Sequence, residues 1–184
     1  MYPTGTTLLE VAESIGTRLA KDAVAAQING KLTDLTEAID IDADINIITG
    51  DSADGHEVLL HSTAHLMAQA VKELFPNARV TIGPAIENRF YYDFDVENPF
   101  TDEDLASIEE KMRELAQNNY PVKRKVFSKD EAIDLFKSMD ENYKVEIIQE
   151  ISPEETLSAY QQDNFIDLCR GPHVPATGRI KYFK

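Results

Sequence analysis

Three of the four histidines and the single cysteine of this chain fall into two pairs of equal spacing, His61-Ser62-Thr63-Ala64-His65 and Cys169-Arg170-Gly171-Pro172-His173. On a helix, residues four apart project from one face, about 6 Å apart at Cβ, so His61 and His65 can serve one ion or one water. A Gly-Pro loop can turn Cys169 and His173 toward the same point. Three imidazoles and a thiolate form a ligand set for tetrahedral zinc. Histidines four apart are also a common core or surface feature, so spacing alone leaves these readings open. A metalloprotease helix is excluded, because Ser62 and not a glutamate follows His61.

The elements around these residues read as α+β. Thr7-Leu8-Leu9-Glu10 has the form of a capping box, and Leu8, Val11, Ile15 and Leu19 continue with helical spacing. Val24 to Ile28 reads as a strand, Asn29-Gly30 as a hairpin turn, Lys31-Leu32 as the return and Ile45 to Ile48 as a closing strand. A helix is expected from about Glu57 to Phe75, stopped by Pro76-Asn77, and it carries the histidine pair. Strands are expected at Val80–Ile82 and Phe90–Phe94, with Gly83-Pro84 turning between them. Thr101 caps a helix with the stripe Leu105, Ile108, Met112 and Leu115. Val122 to Phe127 reads as a strand, Ser128 to Glu131 as a capping box opening a helix through Met139, and Lys144 to Ile148 as a further strand. Ser152-Pro153-Glu154-Glu155 has the form of another helix start.

The 184 residues carry 18 basic and 33 acidic side chains, for a net charge of −15, with 42% hydrophobic residues. This is a globular composition and it disfavours unaided, non-specific nucleic-acid binding. No apolar run reaches the roughly 20 residues of a bilayer span, and a single cysteine forms no internal disulfide; a cytoplasmic protein is expected. Residues 1–60 hold three basic against eleven acidic side chains, while residues 61–184 hold fifteen against twenty-two. The change falls near the polar stretch Thr49 to Gly55, which reads as a linker between two small domains.

His61-Ser62-Thr63-Ala64-His65, Phe90-Tyr91-Tyr92-Asp93, Tyr143-Lys144-Val145 and Asp167-Leu168-Cys169-Arg170-Gly171-Pro172-His173-Val174-Pro175 follow one another in the order and spacing of a known pattern. They resemble the editing domain of bacterial threonyl-tRNA synthetases. Gly5 to Leu9 and Val24 to Lys31 resemble the TGS domain, a ubiquitin-like β-grasp module that precedes it there. The resemblance implies a TGS domain over residues 1–52 that lacks its first strand. An editing domain with an antiparallel sheet and long helices would follow over residues 53–184, truncated at its C-terminus. No ATP-binding motif of the class II catalytic domain is present, so synthesis of threonyl adenylate is not expected of this chain; ATP and a catalytic zinc belong to that other domain.

The implied reaction is hydrolysis of seryl-tRNA(Thr), with tRNA and the catalytic and anticodon-binding domains of the parent enzyme as partners. Carried onto this sequence, the family pattern places His61, His65, Cys169 and His173 around the pocket. Lys144 stands as the active lysine that stabilises the oxyanion. Asp167 grips the serine amine or orients a histidine, and Tyr92 and Arg170 contact substrate. A solvated lysine and a loop-capping carboxylate are the plain alternatives for Lys144 and Asp167. No cofactor is required in the favoured form of this reading, in which His61 and an ordered water act together and zinc binds only when supplied; a zinc-bound water is the other form. Lys123, Arg124, Lys125, Arg170, Arg179, Lys181 and Lys184 are the groups available for phosphates, although such charges are commonly solvated faces. The isolated chain is expected to be monomeric and the parent enzyme homodimeric. Two further readings stand beside this one: a free-standing deacylase acting in trans, and a non-catalytic TGS-type binding module.

Overall fold

The computed structural model describes residues 2–83, 85–86, 89–152 and 154–184. Strand β1 (Thr6–Thr7) runs directly into helix α1 (Leu8–Ile15). The Thr7 hydroxyl accepts from the Glu10 N–H while the Glu10 carboxylate accepts from the Thr7 N–H, closing the expected capping box. Extended backbone at Gly16 separates α1 from α2 (Thr17–Asp22), so the one helix expected through Leu19 is two. Strands β2 (Ala23–Ile28) and β3 (Lys31–Thr33) form a hairpin whose turn residues Asn29 and Gly30 have φ of 50° and 78°, the left-handed pair that a tight hairpin needs. Strand β4 (Ala38–Ile39) pairs with β1, and β5 (Ile45–Thr49) joins β2, giving an antiparallel sheet of order β3-β2-β5. Leu8, Ala12, Ala26 and Leu35 form the core under α1.

Helix α3 (Ala53–Leu74) is the spine of the remainder. It starts ahead of the expected Glu57 because the Ser52 hydroxyl accepts from the Gly55 N–H. The stretch expected as a linker is therefore a strand end, a short turn and the first turn of a helix. A bulge between Ala23 and Ala25 turns Val24 and Ala25 toward this helix, where with Ile48 they share one core with Val58, Leu66, Val71, Met112 and Leu115. Four short strands follow: β6 (Arg79–Val80), β7 (Ala85–Ile86), β8 (Arg89–Phe90) and β9 (Phe94–Asp95). β6 pairs with β9 and β7 with β8, so the two longer strands expected here are shorter pieces, and Pro84 of the expected turn lies outside the described residues. Helix α4 (Asp102–Asn118), capped by Thr101, buries Ile108, Met112 and Leu115, but Leu105 of the expected stripe is 54% exposed.

Strand β10 (Val122–Phe127), helix α5 (Lys129–Ser138), helix α6 (Asn142–Glu150), strand β11 (Leu157–Gln162) and strand β12 (Phe165–Leu168) complete the order, before a 3-10 turn at Thr177–Arg179. Two expectations fail here. Lys144 to Ile148 is helix and not strand: Lys144, Val145 and Ile148 are buried together on one helical face. The helix expected from Ser152 does not form; Glu154 and Glu155 lie in a turn leading to β11, and Pro153 lies outside the described residues. β10, β11 and β12 form an antiparallel sheet in that order, with Tyr160 paired to Asp167. Its side chains alternate as strand geometry requires. Leu157, Ala159, Ile166 and Leu168 meet α5 and α6, while Phe165 meets α3 and Gln162 reaches the His65 carbonyl. That alternation turns Tyr160 and Asp167 toward α3. Among the described residues no helix is long and apolar enough to cross a membrane.

Candidate functional site

The face of α3 opposite β12 carries His61 and His65, and the loop leaving β12 brings Cys169 and His173 to them. One donor atom from each of the four lies within 4.8 Å of every other. Cys169 Sγ is 3.1 Å from His61 Nε2 and 3.3 Å from His173 Nε2, and it accepts from the Gly171 N–H at 3.2 Å. The ring centroids of His61 and His65 lie 5.2 Å apart, and that of His173 lies 4.3 Å and 4.2 Å from theirs. Ser62, between the two α3 histidines, accepts from the Val174 N–H and sits 3.1 Å from His173 Nδ1. Its own hydrogen can be given to Nδ1, or its oxygen can accept from Nδ1–H, so Ser62 supports either tautomer of His173.

Beside this cluster lies a second, charged one. Lys144 on α6 is 2% exposed and Asp167 on β12 is 1% exposed. The lysine Nζ stands 2.7 Å from Asp167 Oδ1 and donates to the Tyr92 hydroxyl at 3.0 Å. Tyr92 in turn donates to Asp167 Oδ2, and His65 Nε2 lies 3.7 Å from that same oxygen. Both clusters border a cleft of about 510 Å³, with Ile82, Ile147, Ile151 and Leu168 as apolar wall and Arg170 at the mouth.

Electrostatics separate the roles of these groups. Burial lowers His65 to about 3, and burial with the neighbouring rings holds His173 well below the ordinary imidazole value. Burial also lowers His61. Burial thus keeps the three rings neutral and able to ligate, and His61, half-buried where the other two are buried, is the one placed to accept a proton. Burial pushes the Cys169 thiol up to about 12, so without a cation it stays protonated. Burial alone would raise Asp167, but Lys144, His65 and the Tyr92 hydroxyl outweigh it and hold the carboxyl below the usual range. Burial and the Asp167 charge push the Tyr92 hydroxyl up, keeping it a donor.

Residues 1–49 match the family of the TGS domain, and residues 157–184 match that of the threonyl and alanyl tRNA synthetase second additional domain. A threonine–tRNA ligase of Marinobacter nauticus is 57% identical over 178 residues, which are 97% of this chain and 28% of the relative. One of Cupriavidus pinatubonensis is 55% identical over 183 residues, 100% of this chain and 29% of the relative. One of Coxiella burnetii is 60% identical over 174 residues, 95% of this chain and 27% of the relative. The chain belongs to the threonyl-tRNA synthetase family, in its N-terminal region. It spans little more than a quarter of the length of these relatives.

Its β-grasp part is the TGS domain, and Asp167, Cys169, Arg170 and His173 lie within the match to the second additional domain. Of the site residues expected from sequence, the fold gathers His61, His65, Cys169, His173, Lys144, Asp167 and Tyr92. Arg170 stands apart: its side chain is 83% exposed and paired to Glu155 at 2.8 Å. Lys123, Arg124 and Lys125 are exposed on β10, the edge strand, and the Arg179 guanidinium donates to the Lys21 carbonyl. Sequence reasoning missed Ser62, although its place between the paired histidines is a readable signal. It also missed Asp34 and Tyr160, which no local pattern marks.

Proposed function

We propose that this chain removes serine from wrongly charged tRNA(Thr), by hydrolysing the ester between the amino acid and the terminal ribose. The observation that carries the reading is the buried Lys144–Asp167–Tyr92 triangle set against His61 and His65 on one cleft, with the His173 ring packed against both. Two of the lysine's hydrogens go to Asp167 and Tyr92. The third is left for the ester carbonyl, where a fixed ammonium stabilises the developing oxyanion. Asp167, held ionised, holds the amine of the serine. His61, the ring at the cleft wall, takes the proton of the attacking water and returns it to the ribose oxygen as the ester bond breaks, releasing serine and the tRNA hydroxyl. Tyr92 keeps the lysine and the carboxylate in register. Neutral Cys169 and His173 bound the water's place, and Arg170 meets the terminal nucleotide at the mouth.

The four-residue ligand set also fits zinc. Bonds of the usual length would put ligand atoms about 3.3–3.6 Å apart on a tetrahedron, near the separations of Cys169 from His61 and His173. Zinc held by three of the four would supply a water of lowered pKa at its open position, with Cys169 as thiolate where it is one of the three; zinc held by all four would leave no place for that water. The favoured form of the reading is metal-free, with zinc taken up when supplied.

A second site of this kind answers a limit of recognition. Serine lacks one methyl of threonine, and a methyl in a pocket discriminates by only ~1–3 kcal/mol, so a synthetase needs a site that admits serine and rejects threonine by shape. The partners of this reading are the charged acceptor end of tRNA(Thr) and the remaining domains of a parent enzyme, in the cytoplasm. Single-turnover deacylation of seryl- and threonyl-tRNA(Thr) at matched salt tests it. The seryl ester should be cleaved much faster, because threonine's methyl meets a wall or displaces the water. Equal rates would make the site a general esterase, and no cleavage of either would leave a binding module.

A further inference from the structure

The proposed reaction leaves two buried carboxylates without a part: Glu141, which pairs with Lys72 away from the cleft, and Asp34. Asp34 follows β3 in the TGS domain and is 7% exposed. Both of its oxygens reach across to the other domain. Oδ1 accepts from the backbone N–H of His173 at 2.9 Å, and Oδ2 accepts from the Tyr160 hydroxyl at 2.6 Å. Tyr160, on β11, is 2% exposed, and its ring centroid lies 4.4 Å from that of His173. The loop lies directly on this tyrosine. Gly171, with φ +70°, would place a Cβ 1.9 Å from the Tyr160 oxygen, so no other residue fits there. His173 is thus held on three sides: by Asp34 at its backbone, by Tyr160 at one ring face and by Ser62 at Nδ1.

We infer that Asp34 is a positioning residue through which the TGS domain sets the Cys169–His173 loop in the deacylation site. A carboxylate hydrogen-bonded to a backbone N–H and to a phenol fixes a peptide and a strand side chain at once, and a charge taken out of water this way is retained only with its partners in place. The TGS domain is then part of the site's scaffold. The inference rests on the proposed deacylation for its kinetic consequence only; the loop's position can be read without any substrate.

The chain's single cysteine supplies that reading, because alkylation by iodoacetamide reports Cys169 alone. The test uses the whole 184-residue chain with Asp34→Ala, Asp34→Asn and Tyr160→Phe, and with Ile47→Ala as control. Ile47 packs in the TGS core on β5, at the opposite edge of the sheet from β3. In Asp34→Ala the freed loop should expose its thiol and raise the alkylation rate by about tenfold. Displacing His173 and Cys169 by about 1 Å should lower single-turnover cleavage of seryl-tRNA(Thr) by ~10²-fold with half-saturation unchanged. Asp34→Asn, which keeps one acceptor, and Tyr160→Phe should fall between. Ile47→Ala should lower the melting temperature and leave both rates at wild-type values. Alkylation and cleavage unchanged in Asp34→Ala would overturn the inference, as would an Ile47→Ala effect on Cys169 as large as that of Asp34→Ala. If Asp34→Ala does not fold, the Asn and Phe variants decide. If the wild-type chain cleaves no seryl ester, the function reading falls by itself and alkylation alone judges Asp34.

Discussion

Lys144→Met separates charge from packing at the centre of the site. Methionine keeps much of the lysine's length and volume, so the change removes an ammonium and its hydrogen bonds. Asp167, 1% exposed, is left with the Tyr92 hydroxyl and a neutral imidazole 3.7 Å away. Removing one partner of a buried pair costs about 3–5 kcal/mol, because the other charge stays behind uncompensated. The pH dependence follows from Asp167. In the wild-type chain its folded pKa lies below the unfolded value, so its stabilising contribution is present above about 3.9 and lost as pH falls through the folded value. Without the ammonium, burial dominates and the folded pKa moves above the unfolded one. The variant then loses stability as pH rises between the two. The gap between wild type and Lys144→Met is therefore widest at neutral pH and narrows as pH falls from about 7 toward 4. Adding Asp167→Asn removes the stranded charge and should recover much of the loss. Urea titrations of the three proteins at both pH values measure this. Loss of the oxyanion donor should cost ~10²–10³ in seryl-ester cleavage, and the second substitution should not restore it. An equal gap at both pH values with additive substitutions would mean that the two groups share no charge interaction. A rate recovered in the double variant would remove Lys144 from the chemistry.

Two further outcomes follow from the loop and its ligand set. After mild chelation the chain should hold well under stoichiometric zinc and take up about one ion per chain when it is supplied, with Cys169→Ala weakening uptake; equilibrium dialysis with elemental analysis measures both, and retained stoichiometric zinc would sink the metal-free form of the mechanism. Gly171→Ala combines a left-handed φ with a 1.9 Å approach to the Tyr160 oxygen, so it should destabilise by more than ~1 kcal/mol in a urea titration. An unchanged midpoint would contradict the seating of the loop on Tyr160.

The parts of this fold that sequence exposes are those whose cause is local. Thr7, Thr101 and Ser128 each bond to a backbone three residues on, and Asn29-Gly30 needs only its own backbone to turn. The histidine pair is legible for the same reason, since helical spacing alone sets its geometry. Lys144 to Ile148 misleads because Val145, Ile147 and Ile148 favour strands over a stretch too short to show a period, and contact with the sheet decides for helix. Ser152-Pro153 misleads in the opposite direction. Its helix-start chemistry masks the alternation of Leu157 and Ala159 with Ser158 and Tyr160, which is the signal of β11. Asp34 is beyond any local reading. A carboxylate just after a strand is what an ordinary turn would carry, and its two partners are 126 and 139 residues away. Residues that could do chemistry here are marked by type and spacing, while a residue that holds them in place is marked only by its contacts. An assignment built on motifs alone would therefore find the ligand set and miss the domain that helps to seat it.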